Sequence, residues 1–554
     1  MELINQHTKK IMEGCKIRAL DAGLSFDDET LEYIVTNRDL IELSPKVMIP
    51  TLYDYWVHDV EVLKEKGKYE LYPGNPYETV INTRPAISFY NDNNPDWLNV
   101  MIFYHVIGHI DFFQNNIFFK HTWDYDFTAR ALSDKRLIAR LRSEKGRFVD
   151  YVIEFARSID NVVGYHSELS MLSNPHKTKK EKRIDYYFDV FLQSEKKVSI
   201  SDYIKEIEKY NGYKSRFRDA AEESFFSDIE KKHPEFETLF NKYLNKKSSK
   251  KIDVLQYLID HSPFINKEEN SWMKPVLEVI RTTSIFFQPQ IRTKIMNEGW
   301  ASYWHEKLFL ADDRIKGHEV DFARVNAGVT AMPRVGLNPY ALGMRMFYFL
   351  EEMGDKGKYS YDFQKIKDAN ERQEFDAHKG KGQEFIFNIR ENFCDFTFIN
   401  TFLDQDFMTR NKLFVAGKRL NKERMVYEYF VKSKKVNDYR KMIIDVLYHP
   451  PYIEIDETKS KNGSLYLNHL FEGKPLVNEY IANTMMGIEY LLGAPVHLET
   501  SEVTLSAAGP AAPFLLPGIP VPPPPQPDEA QEQIISWQRV LYTMDKKKLT
   551  KKKL

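Results

Sequence analysis

Cysteine is nearly missing from this sequence, whose 554 residues include only Cys15 and Cys394. Two distant cysteines exclude a disulfide framework and a zinc finger built from thiolates. An excess of one charge is also lacking, because 78 lysines and arginines stand against 80 aspartates and glutamates. Without a broad basic surface the chain lacks the main source of affinity for nucleic acid, and we expect no nucleic-acid partner.

Long apolar runs are missing as well. No stretch of about 18 apolar residues occurs, and the first residues, MELINQHTKK, do not form a basic segment followed by an apolar core. These absences predict a protein with neither a membrane span nor a secretory signal. Together with the scarcity of cysteine they favour a reducing compartment, and we expect a cytoplasmic protein.

The apolar residues of positions 1–390 recur mostly at helical spacing, which predicts a mainly α protein with a large helical body. The composition then changes, and residues 391–505 predict a small α+β domain. Within it, PYIEIDETKSKNGSLYLNHLFEG (451–473) has the pattern of a β-hairpin around Asn462-Gly463. The segment APVHLET (494–500) predicts a third strand.

The C-terminal tail begins with a proline-rich linker, residues 506–527, whose IPVPPPPQP favours an extended polyproline II spacer. In residues 528–554, which end in a basic run, the apolar side chains recur at helical spacing. These are Ile534, Trp537, Leu541 and Met544. The spacing predicts an amphipathic helix, which can dock on a partner or pack against its own protein.

Two histidines lie four residues apart in the apolar stretch NNPDWLNVMIFYHVIGHIDFFQNN (93–116). Asn94 can cap a helix and Pro95 suits its first position, so we predict a helix that carries His105 and His109. Four residues is just over one turn, so both imidazoles project from one face and can bind one metal ion. A backbone carbonyl or a carboxylate can equally satisfy such histidines, so the pair alone leaves the metal undecided.

A second motif, MNEGWASYWHEK (296–307), places a carboxylate on a core-facing row. We predict a helix that starts at Pro289 and presents one stripe of mostly apolar residues. The stripe contains Ile291, Ile295, Glu298, Ser302, His305 and Phe309. A buried carboxylate is costly unless it meets a cation, a hydrogen-bond donor or a metal, so Glu298 needs a partner. The histidine pair can supply one through a metal.

These two motifs resemble a pair found in gluzincin metallopeptidases. HVIGHIDFFQNN is similar to the helix that bears H-E-x-x-H in that class, and NEGWASYW resembles the helix that carries its glutamate ligand. The resemblance implies a gluzincin-like body and a His2Glu site for one divalent metal, formed by His105, His109 and Glu298. Zinc is the first candidate, and iron and manganese are alternatives. Val106 stands where H-E-x-x-H has its general base, so ordinary peptidase chemistry is not implied.

Two further residues of the second motif are candidates for catalysis. His305 lies seven positions after Glu298, about 10 Å along a helix, so we expect it in the wall of the same cavity and not on the same ion. There it can act as acid or base, bind a second metal, hold a substrate or belong to the core. Glu306 points elsewhere on the helix and is the weaker candidate for a substitute base.

Six ordered blocks extend the resemblance over about residues 50 to 500. They are HVIGHIDFFQNN, PQIRTKIMNEGWASYWHEKL, LNPYALG (337–343), RENFCDFTFINTFLDQDF (390–407), IEIDETKSKNGSLYLNHLFEG and GAPVHLET. With these blocks the chain resembles the SpoVR family, the stage V sporulation protein R-like proteins. The resemblance also implies a histidine near position 326, where this chain has Asn326.

The SpoVR resemblance implies a role in a sporulation or stress-response module, with spore cortex formation in spore formers. It also implies two partners, a PrkA-type serine kinase and a von Willebrand A-like protein. Two hypotheses follow for the chain itself. It is either a metal-dependent hydrolase, in which His305 or a carboxylate that the sequence does not identify moves the proton, or a non-catalytic regulatory or assembly protein whose metal or polar cluster only fixes the core.

Overall fold

The protein is mainly helical, with small sheets in its N-terminal and C-terminal parts, and this confirms the predicted mainly α class with a small C-terminal α+β region. The gluzincin-like character of the body stays a prediction. The chain divides into two compact units, one formed by Met1–His166 and Ile252–Leu554 and the other by Ser167–Lys251. The computed structural model describes residues 2–27, 29–36, 78–122, 127–164, 169, 183–196, 200–217, 221–240, 252–360, 363, 366, 368–421, 426–461, 463–471, 475–507 and 533–554.

The α-helices of the described residues are, in chain order, α1 (Gln6–Asp21), α2 (Asp96–Asn115), α3 (Phe127–Lys145), α4 (Phe148–Arg157), α5 (Ile200–Phe217), α6 (Ala221–Lys232), α7 (Val254–His261), α8 (Met273–Arg292), α9 (Lys294–Leu310), α10 (Glu319–Val329), α11 (Pro339–Lys356), α12 (Ala369–Glu374), α13 (Gly382–Asn392), α14 (Asp395–Phe402), α15 (Gln405–Arg410), α16 (Val436–Val446) and α17 (Asn478–Leu492). Shorter or irregular helical segments are Ile117–Thr122, Asp160–Val162, Arg183–Asp185, Tyr186–Glu195, Glu268–Asn270 and Asp313–Ile315. None of these described helices combines the length and the apolar character that a membrane crossing requires.

The strands of the described residues form three sheets in the larger unit. They are β1 (Glu2–Leu3), β2 (Thr30–Val35), β3 (Glu78–Ile81), β4 (Ala86–Asn91), β5 (Val415–Asn421), β6 (Val426–Ser433), β7 (Tyr452–Ile455), β8 (Leu465–Leu470), β9 (Val496–Ala507), β10 (Gln533–Asp545) and β11 (Lys548–Lys553). The sheet orders are β1-β2-β4-β3, β5-β6 and β11-β10-β9-β8-β7. Helical periodicity does not predict the first sheet, because its strands are short and two of its pairings, β1 with β2 and β2 with β4, join positions far apart in sequence.

The five-stranded sheet contains the predicted hairpin and the predicted third strand. β7 pairs antiparallel with β8, from Tyr452 opposite Leu470 to Ile455 opposite Leu467. β9 begins at Val496 and lies parallel to β8. The turn residue Asn462 lies outside the described residues, as do positions 508–532 and therefore most of the predicted proline-rich linker.

The amphipathic helix predicted for residues 528–554 is wrong, because the described part of this segment, residues 533–554, forms β10 and β11. β10 pairs with β9 along its length, from Gln533 opposite Ala507 to Met544 opposite Val496. Val540 and Tyr542 are buried together with Met544, which is the period of two expected of a strand. Met544 fits both periods, and pairing with the edge of β9 decides between them.

The smaller unit has an aromatic core of its own. α5, α6 and the π-helical segment Tyr186–Glu195 belong to it. Its buried side chains include Tyr187, Phe191, Phe225 and Phe236. This unit contributes no residue to the motifs that carry the two histidines and Glu298.

Both predicted starts of the motif helices need correction. α2 begins at Asp96 with Pro95 in the cap position and no side-chain cap, so Asn94 does not cap it. Pro289 lies inside α8, and the helix that carries Glu298 begins only at Lys294. The break comes at Thr293, because the Asp395 carboxylate accepts the backbone N–H groups of the two residues after Lys294 and so caps a new helix.

Ile291 therefore does not share the stripe predicted for it. It lies on α8, and 45% of its surface is exposed. Ile295, Ser302, His305 and Phe309 are buried on α9, as predicted for a core-facing row.

Three helices of the larger unit approach one another at glycines. A Cβ atom on Gly108 of α2 would lie 2.8 Å from the Cα atom of Ala301 on α9. A Cβ atom on Gly299 of α9 would overlap the backbone of Gly343 on α11. The glycines of HVIGH, NEG and ALG thus permit backbone contact between α2, α9 and α11.

We predict that Gly299→Ala destabilises the protein although alanine favours helices. The added methyl group meets backbone that cannot move without separating α9 from α11, which should cost about 1–3 kcal/mol. The control is Gly328→Ala on α10, where a Cβ atom would meet nothing within 4 Å. Chemical denaturation should show that the control is as stable as the wild type or more stable. Equal stabilities of the two variants would contradict the backbone contact between α9 and α11 at Gly299.

Candidate metal centre

His105, His109 and Glu298 come together although 189 positions separate the second histidine from the glutamate. The two histidines lie one turn apart on α2, and Glu298 lies in the second turn of α9. The two Nε2 atoms are 3.1 Å apart. Glu298 Oε2 is 3.5 Å from His109 Nε2 and 3.9 Å from His105 Nε2. The structure therefore brings together the three ligands that the gluzincin resemblance implies.

The three atoms have the geometry of a metal-binding triangle. The point equidistant from them lies about 2 Å from each, which is the length of a bond between zinc and nitrogen or oxygen. Glu298 Oε2 is buried and meets no hydrogen-bond donor among the described residues. A buried carboxylate oxygen without a donor is costly, and a cation at the equidistant point would satisfy it. The residues present therefore fit a divalent metal ion.

The other nitrogen of His109 is held by the residue just before Glu298. His109 Nδ1 lies 2.9 Å from Asn297 Oδ1, so the N–H group is on Nδ1 and the lone pair is on Nε2. This is the tautomer that binds a metal through Nε2. The asparagine of the NEG motif, Asn297, therefore holds His109 in this tautomer.

Burial keeps His105 and His305 in their neutral form. It lowers the pKa of His105 well below the usual range, and the neighbouring His109 and His305 add to this effect. Burial likewise lowers the pKa of His305 to about 4 and raises the pKa of Glu298. Neutral imidazole is the form that binds metal, so the site needs no deprotonation of His105 at neutral pH.

Tyr340, at the start of α11, contacts two of the three candidate ligands. Its side chain hydrogen-bonds the Glu298 carboxylate, and because Oε2 has no donor the contact is with Oε1. Its ring stacks on His105 with 6.1 Å between ring centroids and 17° between planes. Tyr340 therefore orients Glu298 so that Oε2 faces the histidines.

Two buried aspartates fix the helices that carry the ligands. Asp395 accepts the N–H groups of Ile295 and Met296 at 2.8 and 2.9 Å and so sets the start of α9. Asp111 on α2 accepts the Trp300 indole N–H of α9 at 2.8 Å and pairs with Arg390 of α13 at 3.0 Å. Burial raises the pKa of Asp395 to about 7 and that of Asp111 to about 6.

The two predicted catalytic residues, His305 and Glu306, lie on the Nδ1 side of His105, whereas the metal triangle contains its Nε2 atom. His305 Nδ1 is 2.9 Å from His105 Nδ1, and His305 Nε2 is 2.9 Å from Asn326 Oδ1. Glu306 accepts hydrogen bonds from Asn326 and from the Tyr348 hydroxyl. Both ring nitrogens of His305 are therefore engaged away from the metal triangle. Acid–base roles for His305 and Glu306 stay predictions.

Sequence reasoning left Asn297, Tyr340, Asp395 and Asn326 without a role in the site. The first three lie inside the quoted blocks NEGWASYW, LNPYALG and RENFCDFTFINTFLDQDF, but a block alone does not say which side chain its residue touches. For Asn326 the available signal was that the family resemblance implies a histidine near this position, where the chain has asparagine.

Fold and site together define a mainly helical protein with a candidate His2Glu metal centre. A family model described as SpoVR like protein matches residues 1–448, which include every residue of the site. The chain belongs to the SpoVR family. It is also similar to a protein of Escherichia coli (strain K12) called "Uncharacterized protein YcgB", with 24% identity over 394 residues, 67% of this chain and 70% of that relative. No solved structure matches the chain.

We predict that Glu298→Gln removes the effect of metal on stability without harming the metal-free protein. The change keeps the shape but removes charge from an oxygen that has no donor. In chelator, denaturation should find the variant at least as stable as the wild type. With Zn²⁺ at about 100 times its dissociation constant, the wild type should gain about 2.7 kcal/mol and the variant much less.

Glu351→Gln is the matched control. Glu351 has a similar side-chain exposure, 20% against 17% for Glu298, but it pairs with Lys307. This variant should lose some stability in both media and gain as much from Zn²⁺ as the wild type. An equal gain for Glu298→Gln would remove Glu298 from the ligand set.

Proposed function

We propose that this SpoVR-family protein holds one divalent metal ion through His105, His109 and Glu298. Zinc is the first candidate, and iron and manganese are alternatives because both also accept two imidazoles and a carboxylate. The observation that carries the proposal is that the Nε2 atoms of His105 and His109 lie within 4 Å of Glu298 Oε2. This oxygen has no hydrogen-bond donor among the described residues.

The first candidate function is metal-dependent hydrolase-type chemistry. Three protein ligands leave an open position, which is typical of catalytic and not of structural zinc sites. The metal would supply Lewis-acid polarisation of an amide or ester carbonyl. The chain's own residues would hold the ligands in place, with Tyr340 and Asn297 orienting Glu298 and His109.

A second candidate is a regulatory or assembly protein in which the metal only fixes the helical core. The observation that favours it is Val106, which is fully buried where a general base would be expected. Among the described residues, the metal-binding group contains no carboxylate other than Glu298. In this case the activity would reside in a partner.

The family resemblance supplies the biological part of the proposal. It comprises a sporulation or stress-response module, spore cortex formation, and partnership with a PrkA-type serine kinase and a von Willebrand A-like protein. The proposed cytoplasmic location rests instead on the scarcity of cysteine and on the lack of a signal or membrane-spanning segment in the sequence. Docking of such partners through an amphipathic helix at residues 528–554 is not proposed, because the described residues of that segment, 533–554, form strands.

Elemental analysis of untagged protein, purified without a metal column, tests the proposal. The wild type should contain about one equivalent of metal, as a single site with three protein ligands requires, and His109→Ala should lose it. His469→Ala is the control, because His469 is also buried but hydrogen-bonds Thr500 in the C-terminal sheet. A wild type without metal after reconstitution, or equal metal in all three proteins, would refute the site.

The two candidate functions are separated by hydrolysis of a panel of quenched fluorescent peptides and chromogenic esters. Hydrolysis by metal-loaded wild type that disappears in chelator and in Glu298→Gln supports the hydrolase. A metal-loaded protein that hydrolyses none of them faster than its Glu298→Gln variant favours the regulatory candidate.

A further inference from the structure

A row of polar side chains leads from the second ring nitrogen of His105 into the protein. His105 Nδ1 meets His305 Nδ1 and His305 Nε2 meets Asn326 Oδ1, each at 2.9 Å. Asn326 Nδ2 donates to Glu306 Oε2, and the Tyr348 hydroxyl donates to Glu306 Oε1 at 2.9 Å. His105, His305 and Asn326 are all buried. Glu306 and Tyr348 are half-buried, so the inner part of the row, from His105 to Asn326, is the part shielded from water.

Glu306 determines which partner donates in each hydrogen bond between it and His105. A carboxylate only accepts, so Glu306 requires Asn326 to present its amide N–H and to turn its carbonyl oxygen toward His305. That oxygen also only accepts, so the His305 proton lies on Nε2 and the lone pair lies on Nδ1. His105 must then donate from Nδ1, and its remaining lone pair lies on Nε2, toward His109 and Glu298.

We propose that Glu306, acting through Asn326 and His305, holds the His105 proton on Nδ1 and thereby presents the Nε2 lone pair to the metal. This inference rests on the proposed metal site and deepens it. Glu306 and His305 become positioning residues. Asn326 links the two residues, because its amide N–H group donates to Glu306 while its carbonyl oxygen accepts from His305.

A glutamine at position 306 shows why the carboxylate matters. Its amide can donate as well as accept, so Asn326 can turn over and offer N–H to His305. The row can then reverse, and the His105 proton can move to Nε2, where it blocks the metal. We expect weaker binding and not complete loss, because residues that only orient a ligand typically change metal affinity by about 10- to 100-fold.

The test compares Zn²⁺ dissociation constants, measured by competition with a chromophoric chelator, and Co²⁺ absorption spectra. Glu306→Gln should bind Zn²⁺ about tenfold more weakly, the lower end of the range for residues that orient a ligand. The double variant Glu306→Gln with Asn326→Asp should recover most of the affinity, because its new carboxylate can accept both from His305 and from the amide introduced beside it. Glu351→Gln is the control and should bind like the wild type.

A second readout reports the proton itself. In metal-free protein labelled with ¹⁵N-histidine, His105→Ala identifies the His105 signals. The wild type should show the Nδ1–H tautomer, and Glu306→Gln should show a mixture. A purely structural role for Glu306 would lower the unfolding temperature without changing this spectrum.

Two results would overturn the inference and leave the metal site intact. One is Zn²⁺ affinity and a His105 tautomer in Glu306→Gln equal to those of the wild type. The other is a double variant that binds no better than Glu306→Gln alone. Failure of the wild type to bind Zn²⁺ or Co²⁺ would instead overturn the proposed function together with the inference.

Discussion

The close approach of α2, α9 and α11 is the constraint on which the candidate metal centre depends. Gly108 lies between the two histidines and faces Ala301, while Gly299 directly follows Glu298 and faces Gly343. The contacts that close the apolar core are therefore the contacts that bring two imidazoles and a carboxylate within 4 Å of one another. A larger side chain at either glycine would separate the ligands as well as the helices.

Several polar groups around the three candidate ligands have partners inside this core. Asn297 holds His109, Tyr340 holds one oxygen of Glu298, and Asp395 caps the helix from which Glu298 projects. Such contacts remove most of the cost of burying polar atoms. Glu298 Oε2 has no hydrogen-bond donor among the described residues, and its position beside two imidazole nitrogens suits a cation.

The sequence allowed the two histidines and Glu298 to be paired, because helical spacing and the cost of a buried carboxylate are local properties. It did not allow the contact between His305 and His105 to be predicted, since that depends on where α9 crosses α2. It also placed the start of α9 at Pro289, because the Asp395 cap comes from a position about 100 residues later. The strands β10 and β11 were not predicted for a similar reason. β10 forms by pairing with the edge of β9, and this contact cannot be read from the local sequence.

X-ray absorption spectroscopy of the zinc-loaded protein tests the central claim most directly. The account predicts a low-coordinate first shell of nitrogen and oxygen at about 2.0 Å, with outer-shell scattering from two imidazoles. In His109→Ala the imidazole contribution should fall to one ring or the metal should be lost. A shell of six oxygens, a shell with sulfur, or a spectrum unchanged by His109→Ala would contradict it.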